Sequence, residues 1–467
     1  MNLICWRASA LATVVLLGGC ASFSPDGGFA PVAQTARQTL GKDLIWSRTP
    51  ADQDRIDQTV AALLAQPLSA DAAVQIALLN NRGLQARFAD LGITEAEVVQ
   101  AGRLPNPGLS FGRLTRGSEV EIETSLHFNL ARLLVLPFTR PLESRRFEQQ
   151  QTAVAQQVLA LAADTRRAWV MALSAQESVV YLRQVQQAAN SGFELARRME
   201  AVGNFNKLQR AREQGFAQDA AMNLARAEQA QRATRERLVR LLGLGEAQIA
   251  FQLPERLPDL PKTVREQPDI ARTALAQRLD VQAERLAVQQ TAANLGLSRS
   301  TRFINVLELG AVRNRSNEAP VLRGWEVALE LPLFDFGNTR VVRAEAVYMQ
   351  ALHRAAEVAV NARSEVREAY TAYRSAWDIA RYQQDEVVPL RKQVSEENLL
   401  RYNGMLIGVF ELLADARAQI ASVHAAIEAR RDFWLAQADL DMAIVGKPAL
   451  AAPAGRAAAS DTPAGGH

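Results

Sequence analysis

The side chains that most often carry enzymatic or metal chemistry are few and scattered in this chain. Histidine occurs at 127, 353, 424 and 467, and the two cysteines, Cys5 and Cys20, both fall in the first twenty residues. Neither set has the spacing of a zinc site or of a disulfide framework. No G-x-x-x-x-G-K-[ST], H-E-x-x-H or G-x-S-x-G occurs, nor a G-x-G-x-x-G after a strand pattern. We therefore expect no enzyme, no cofactor and no bound metal. The informative polar residues are carboxylates set at alternate positions. Between Val120 and Leu130, the side chains of Val120, Ile122, Leu126, Phe128 and Leu130 share one face, and those of Glu121, Glu123, Ser125, His127 and Asn129 share the other. Trp325, Val327, Leu329, Leu331 and Leu333 alternate in the same way with Glu326, Ala328 and Glu330. A wall of carboxylates facing water does one kind of chemistry well, which is to select ions by sign.

The element that positions such residues is a strand of about ten residues with one apolar and one polar face, the pattern of a transmembrane β-barrel. Leu109 to Arg113 and Phe303 to Arg313 precede the two segments as weaker partner strands. Outer-membrane barrels need at least about eight strands, and an open edge cannot be left in hydrocarbon. Several copies must therefore share one barrel. Three chains of four strands make twelve, although alternation alone does not choose three copies over two or four.

Long helices account for most of the remaining sequence. Val154, Val158, Leu161, Thr165, Ala168, Ala172, Ala175, Val179, Leu182, Gln186, Ala189, Phe193 and Ala196 advance by steps of four and three, as a heptad seam does. From Pro141 to Gly203 this predicts about 60 helical residues, roughly 90 Å. A second seam runs through Ala344, Tyr348, Ala351, Ala355, Val358, Ala362, Glu365, Ala369, Ala372, Ala376 and Ile379. After Gly203 and after Gly404 a shorter helix returns, so each is the turn of an antiparallel hairpin. Trp169 and Trp377, alone on the long helices, are read as packing residues.

The body of the chain is written twice. Leu79 to Ala86 recurs as Ala276 to Ala283, aligning Arg82 with Arg278. Ala201-Val202-Gly203-Asn204 recurs as Tyr402-Asn403-Gly404, and Leu241-Leu242-Gly243 as Ile444-Val445-Gly446. Landmarks in one order at a near-constant spacing of about 200 residues indicate a duplicated unit. We divide the chain into residues 67–262 and 263–447, each with a strand pair and a long helical hairpin, joined by the proline-rich stretch Pro254 to Pro268. Residues 448–467, rich in Ala, Pro and Gly, are read as a disordered tail.

Charge excludes other classes. Lys plus Arg number 53 against 50 Asp plus Glu in a chain of 467 residues, a net of +3, so no concentrated basic surface for nucleic acid is expected. Hydrophobic residues reach 48% with only 6% aromatic, which favours closely packed Ala- and Leu-rich helices. No stretch after the first twenty residues approaches the ~18 apolar residues of a membrane-spanning helix.

At the N-terminus, Arg7, the apolar run Ala8 to Leu17 and the small pair Gly18-Gly19 form a secretory signal over residues 1–19. Gly18-Gly19-Cys20 resembles a bacterial lipobox, which implies lipidation of Cys20, and Ala21 after it implies sorting to the outer membrane. Residues 20–66 are expected to form an extended periplasmic arm.

Taken together, these features resemble the TolC-type outer-membrane efflux proteins. Besides the duplication, the resemblance rests on Leu104-Pro105-Asn106-Pro107-Gly108-Leu109-Ser110 entering the first strand. It rests also on Leu329 to Gly337 leaving the last, and on Arg401-Tyr402-Asn403-Gly404 followed by Phe410-Glu411-Leu412-Leu413. It covers roughly residues 67 to 447. Two departures are visible: Leu130 to Phe138 replaces the usual proline-phenylalanine-aspartate-glycine exit, and Lys207 stands at the first tip where many relatives place an acid. The resemblance implies a mainly α protein with a membrane β-barrel, a homotrimer whose 12-stranded barrel continues into an α-helical tunnel. It implies a passive duct in a tripartite efflux or secretion system, docked to a periplasmic adaptor and an inner-membrane pump. Within it, Glu121, Glu123, Glu326 and Glu330 are expected to line the barrel lumen. Glu411, read as two turns up from the tip, with Tyr402 and Arg401, becomes a candidate periplasmic gate. Two alternatives remain open: a metal-ion exporter of the same fold, and an adaptor lipoprotein with a single hairpin inside a lipoyl-like β domain. A purely structural periplasmic rod is a third.

Overall fold

The computed structural model describes residues 22–302, 306–330 and 334–448. Cys5, Cys20, the signal segment 1–19, Phe303, Leu331 to Leu333, His467 and all but the first residue of the 448–467 tail lie outside the described residues. The elements are α1 (Ala30–Leu40), α2 (Pro50–Leu64), α3 (Ala70–Asn80), α4 (Arg82–Ala101), β1 (Gly108–Arg116), β2 (Glu119–Asn129), α5 (Leu130–Ala201) and α6 (Lys207–Leu242). They continue with α7 (Ile270–Gln277), α8 (Leu279–Ser300), β3 (Leu307–Ser316), β4 (Leu322–Leu329), α9 (Asn338–Tyr382), α10 (Val388–Asn403) and α11 (Val409–Val445). The order helix, helix, strand, strand, long helix, returning helix occurs twice.

Two compact units share these elements. One takes residues through Leu63, Gln75–Leu159 and Leu275–Asn361; the other takes Leu64–Val74, Ala160–Ala274 and the residues from Ala362 onward. Each draws on both halves of the sequence, so the duplication does not coincide with the compact units. The helices α5 and α9 are too long to belong to one of them.

In the first unit, the segment expected as an extended arm contains α1 and α2. Their apolar residues Val32, Ile56 and Val60 are buried. Phe29 packs edge-on against Phe88 at 4.9 Å and tilted against Trp46 at 6.0 Å, giving the segment a core of its own. Gly28, at φ +74°, lies so close to α5 that a Cβ there would meet the Phe147 ring at 2.1 Å, and its carbonyl accepts from Gln151 Nε2 at 2.9 Å. Any larger residue at 28 would break this seam.

Helix α5 begins at Leu130, earlier than expected, because Asn129 caps it: its side chain accepts from Arg132 N at 2.8 Å. Pro137 and Pro141 lie inside the helix, each forgoing one backbone hydrogen bond. The Leu130 to Phe138 departure is thus a helix start. No residue of the α5 seam is exposed.

In α9 the seam is displaced. Val366, Tyr373 and Ala380 are buried where Glu365, Ala372 and Ile379 were expected, and Ile379 is 57% exposed. Ala351, Ala362 and Tyr373 recur at eleven residues, close to the natural 3.6-residue turn, whereas a strict heptad drifts off the buried face. The π-helical segment Gln383–Val387 then joins α9 to α10. Pro389, at the start of α10, has no N–H and its ring would strike the carbonyl four residues back, so one wide turn absorbs it.

The second unit is built around Val366, Ala369, Tyr373, Phe433 and Leu440, with Tyr373 and Phe433 rings 5.5 Å apart. The proline-rich linker straps its surface. Prolines supply no N–H, and the carbonyls left over are taken by indoles: Trp377 Nε1 donates to Pro261 O at 3.0 Å and Trp434 Nε1 to Pro258 O at 3.1 Å. Trp169 Nε1 donates to Leu68 O at 2.7 Å. Trp169 and Trp377 are therefore packing residues with a polar duty.

Tyr181, on α5, donates its hydroxyl to Ile420 O on α11 at 3.1 Å, and burial pushes its pKa above the ordinary 10.0. A tyrosine that holds its proton more tightly when folded contributes stability that is complete below the unfolded pKa of about 10 and is lost as pH rises through the folded value. Tyr181→Phe is expected to cost about 1 kcal/mol at neutral pH and to flatten the alkaline decline in thermal unfolding scans. An unchanged alkaline slope would count against it.

Candidate functional site

The four strands form one antiparallel sheet in the order β1-β2-β3-β4. Its register follows the alternation of the sequence. Leu109 pairs with Leu126, which pairs with Ala311, which pairs with Trp325, so one face carries these with Phe111, Phe128, Leu309 and Val327. Trp325 is 78%, Leu109 73% and Phe111 70% exposed. Leaving so much contiguous apolar surface bare in water is unfavourable. Among the described residues β1 and β4 have no further partner strand, so both edges are open.

The opposite face gathers carboxylates. Glu121, Glu123 and Glu326 lie on it, and the register adds Glu119 and Glu308, which alternation had not singled out. Glu119 has the parity of Glu121 and sits one residue before the segment as read. Glu308 falls in the partner strand whose alternation is weak. Asn314 Nδ2 donates to Glu121 Oε1 at 3.2 Å, and Ser316 Oγ to Glu119 Oε1 at 3.2 Å. His127 joins strands across this face: Nδ1 is 3.1 Å from Glu326 Oε1, while Nε2 is 2.6 Å from Ser125 Oγ. Gly310 makes room for this pair, since a Cβ there would meet Glu326 Cγ at 2.7 Å and His127 Nδ1 at 3.0 Å. Glu330 follows β4 by one residue, is exposed, and its N–H donates to Val306 O at 3.3 Å.

The hairpin turns lie in the second unit. At the first, Gly203 takes φ +82° while Asn204 N donates to Met199 O at 2.8 Å. Asn206 then caps α6 reciprocally with Gln209, at 2.9 and 2.7 Å. Lys207 is the first residue of α6. Glu194, which accepts from Arg197 and Arg198, is held below the usual carboxylate range by those hydrogen bonds. At the second turn Gly404 is not the left-handed residue: its φ is −79°, and Met405 takes φ +59° with its side chain 93% exposed. The glycines align in sequence but not in conformation, because the left-handed position falls one residue later. Holding a methionine there costs roughly 1 kcal/mol relative to glycine.

Glu411 lies in the first turn of α11, which starts at Val409, and not two turns along a helix beginning at Gly404. Its carboxylate there complements the helix dipole. Arg401 pairs with Glu397 of its own helix at 3.5 Å, and Tyr402 is 37% exposed. Between the hairpins, and unmarked by any sequence motif, runs a ladder of ion pairs. Arg417 meets Glu213 at 2.7 Å, with Glu213 only 4% exposed, and Arg430 meets Glu177 at 2.8 Å.

No family model matches the chain. The cobalt-zinc-cadmium resistance protein CzcC of Cupriavidus metallidurans is 26% identical over 281 residues, which span 58% of this chain and 64% of that protein, just under two thirds of its length. The solved structure of the outer membrane channel CmeC from Campylobacter jejuni superposes with a TM-score of 0.68 at 15% identity, over 91% of this chain and 92% of that one. That of CusC, reported with its folding and transmembrane channel formation, gives 0.67 at 16% identity, over 81% and 92%. At these TM-scores and coverages, the chain has the fold of the TolC-type outer-membrane channels.

Proposed function

We propose that the protein is the outer-membrane channel of a tripartite efflux system, a passive duct that a periplasmic adaptor couples to an inner-membrane pump. The observation that carries this reading is the four-stranded sheet with an exposed apolar face, a carboxylate face and two open edges. In hydrocarbon such edges must be paired. Three copies joined edge to edge close a twelve-stranded barrel, with the apolar face toward lipid and Glu121, Glu123, Glu326 and Glu330 toward a wet lumen. The adaptor alternative calls for one hairpin inside a lipoyl-like domain, whereas two hairpins and a sheet of this kind are present. Acylation of Cys20 anchors the same chain to the membrane, a role that palmitate labelling of wild type against Cys20→Ala tests directly.

Threefold symmetry brings the second hairpin turns together at the periplasmic mouth, with Arg401 and Tyr402 reaching the neighbouring protomer and three Glu411 carboxylates ringing the axis. At separations near 8 Å and an effective dielectric of about 20, each like-charged pair repels by roughly 2 kcal/mol, so the ring attracts multivalent cations. The test is one preparation: the detergent-solubilised protein should have the mass of three processed chains. In a planar bilayer it should conduct, with block by a trivalent cation added from the helical side. A water-soluble monomer sinks the channel; block undiminished by Glu411→Ala removes the gate alone.

A metal-ion cargo is favoured by one observation, the likeness to a cobalt-zinc-cadmium resistance protein. Cells relying on this channel should then gain tolerance to those three ions and not to an organic dye. The reverse pattern overturns the metal cargo.

A further inference from the structure

The apolar face of the sheet is not apolar along its whole height. Toward the two hairpin turns, at Gly117 and at residues 317–321, arginines stand among its apolar and threonine side chains. Arg313 pairs directly with Arg323, Arg315 lies two residues farther along β3, and Arg113 stands in the same row as Arg315 with Ile122 between them. All four are exposed, and none makes an ion pair or side-chain hydrogen bond among the described residues. The carboxylates of the sheet cannot serve them, because Glu119, Glu121, Glu123, Glu308 and Glu326 project from the other face. Charge is thus separated by sign through the thickness of the sheet.

Two arginines directly opposite each other repel and destabilise the strand pair they occupy. Phe111 and Thr124 share the row of Arg313 and Arg323, and the next row away from the turns is Leu109, Leu126, Ala311 and Trp325. A band of guanidinium groups above a band of apolar side chains fits one kind of neighbour, an amphiphile whose phosphates lie at the level of the arginines and whose acyl chains lie at the level of the leucines. The guanidinium fork matches two phosphate oxygens, and an anion between Arg313 and Arg323 turns their repulsion into a shared contact.

We propose that Arg113, Arg313, Arg315 and Arg323 form a rim that binds the phosphates of an anionic lipid in the leaflet facing the hairpin turns. The inference rests on the reading above that the apolar face meets lipid. It adds which lipid is recognised and where. Each arginine near an anionic lipid surface contributes about fivefold to partitioning, so four per chain make the preference readable.

The experiment uses full-length trimers and vesicles of phosphatidylcholine alone or with bis-phosphorylated lipid A. Wild type is compared with the quadruple variant Arg113→Gln, Arg313→Gln, Arg315→Gln, Arg323→Gln and with the matching quadruple lysine variant. Wild type should favour the lipid A vesicles by more than about tenfold, the glutamine variant by less than about twofold, and the lysine variant should fall between, all without displacement by millimolar inorganic phosphate. An equal preference in wild type and glutamine variant overturns the proposal. So does displacement by inorganic phosphate, which would make the rim a site for free anions. Resistance of wild type to alkaline extraction from phosphatidylcholine alone reports on insertion separately. If it is extracted, the membrane reading fails and the rim with it; if it resists while lipid A makes no difference, only the rim fails.

Discussion

Arg417→Ala is expected to destabilise the protein by about 3 kcal/mol, the low end of the cost of stripping one partner from a buried ion pair. Its carboxylate partner Glu213 is 4% exposed, whereas Arg417 itself is 35% exposed and so contributes less desolvation of its own. The substitution also removes the guanidinium from the face of Phe216, 4.4 Å away, worth about 0.5–1 kcal/mol at a partly exposed site. Glu213→Leu combined with Arg417→Leu should recover most of the loss, because no charge is then left buried without a partner. The measurement is guanidinium unfolding of the solubilised protein, with single Glu213→Leu and Arg417→Leu variants completing a double-mutant cycle. A single Arg417→Ala variant within 0.5 kcal/mol of wild type, on the scale of an ordinary surface change, would show that the pair is merely adjacent.

Glu121→Gln, Glu123→Gln and Glu326→Gln together should sharply reduce the cation preference of the reconstituted duct. Glutamine keeps the size and the hydrogen bonds, including the one from Asn314 to position 121, so only charge is lost. Wild type should show a severalfold preference for potassium over chloride in a salt gradient, and the triple variant a clearly smaller one, with Glu119, Glu308 and Glu330 left to sustain the remainder. An anion preference in wild type would mean that the carboxylate face is turned away from the lumen.

Much of the sheet was legible because a strand's side-chain period is two and each face announces itself: Glu121, Glu123 and Glu326 fall on one side as their parity requires. Glu119 and Glu308 were missed for a local reason, at a segment end and in a strand of mixed alternation. The helical seams were legible to the extent that a heptad approximates the true turn, which held through α5 and failed along α9. The helices of the segment read as an extended arm were hidden by Pro25, Gly27, Gly28 and Pro31, which suggest a loop. Gly27 and Gly28 do adopt positive φ, but Pro31 lies in the first turn of α1, where proline is tolerated. At the tips the sequence offered glycines, and one of the two does not carry the left-handed turn. The Glu213–Arg417 pair had no local signature, since its members are some 200 residues apart.

The pairing of β2 with β3 sets Glu121 beside Ser316 and Asn129 beside Glu308. Everything between them, including all of α5 and α6, has to be made before that ladder can close. Loop-closure entropy is incurred before these contacts repay it, which slows the step. Until Leu307 to Ser316 arrive, the first strand pair waits with β2 as an unsheltered edge, open to any other chain in the same state. A chain cut short before β3 is therefore a hazard to its neighbours as well as a failed subunit, and synthesis to the second strand pair is the step at which that exposure ends.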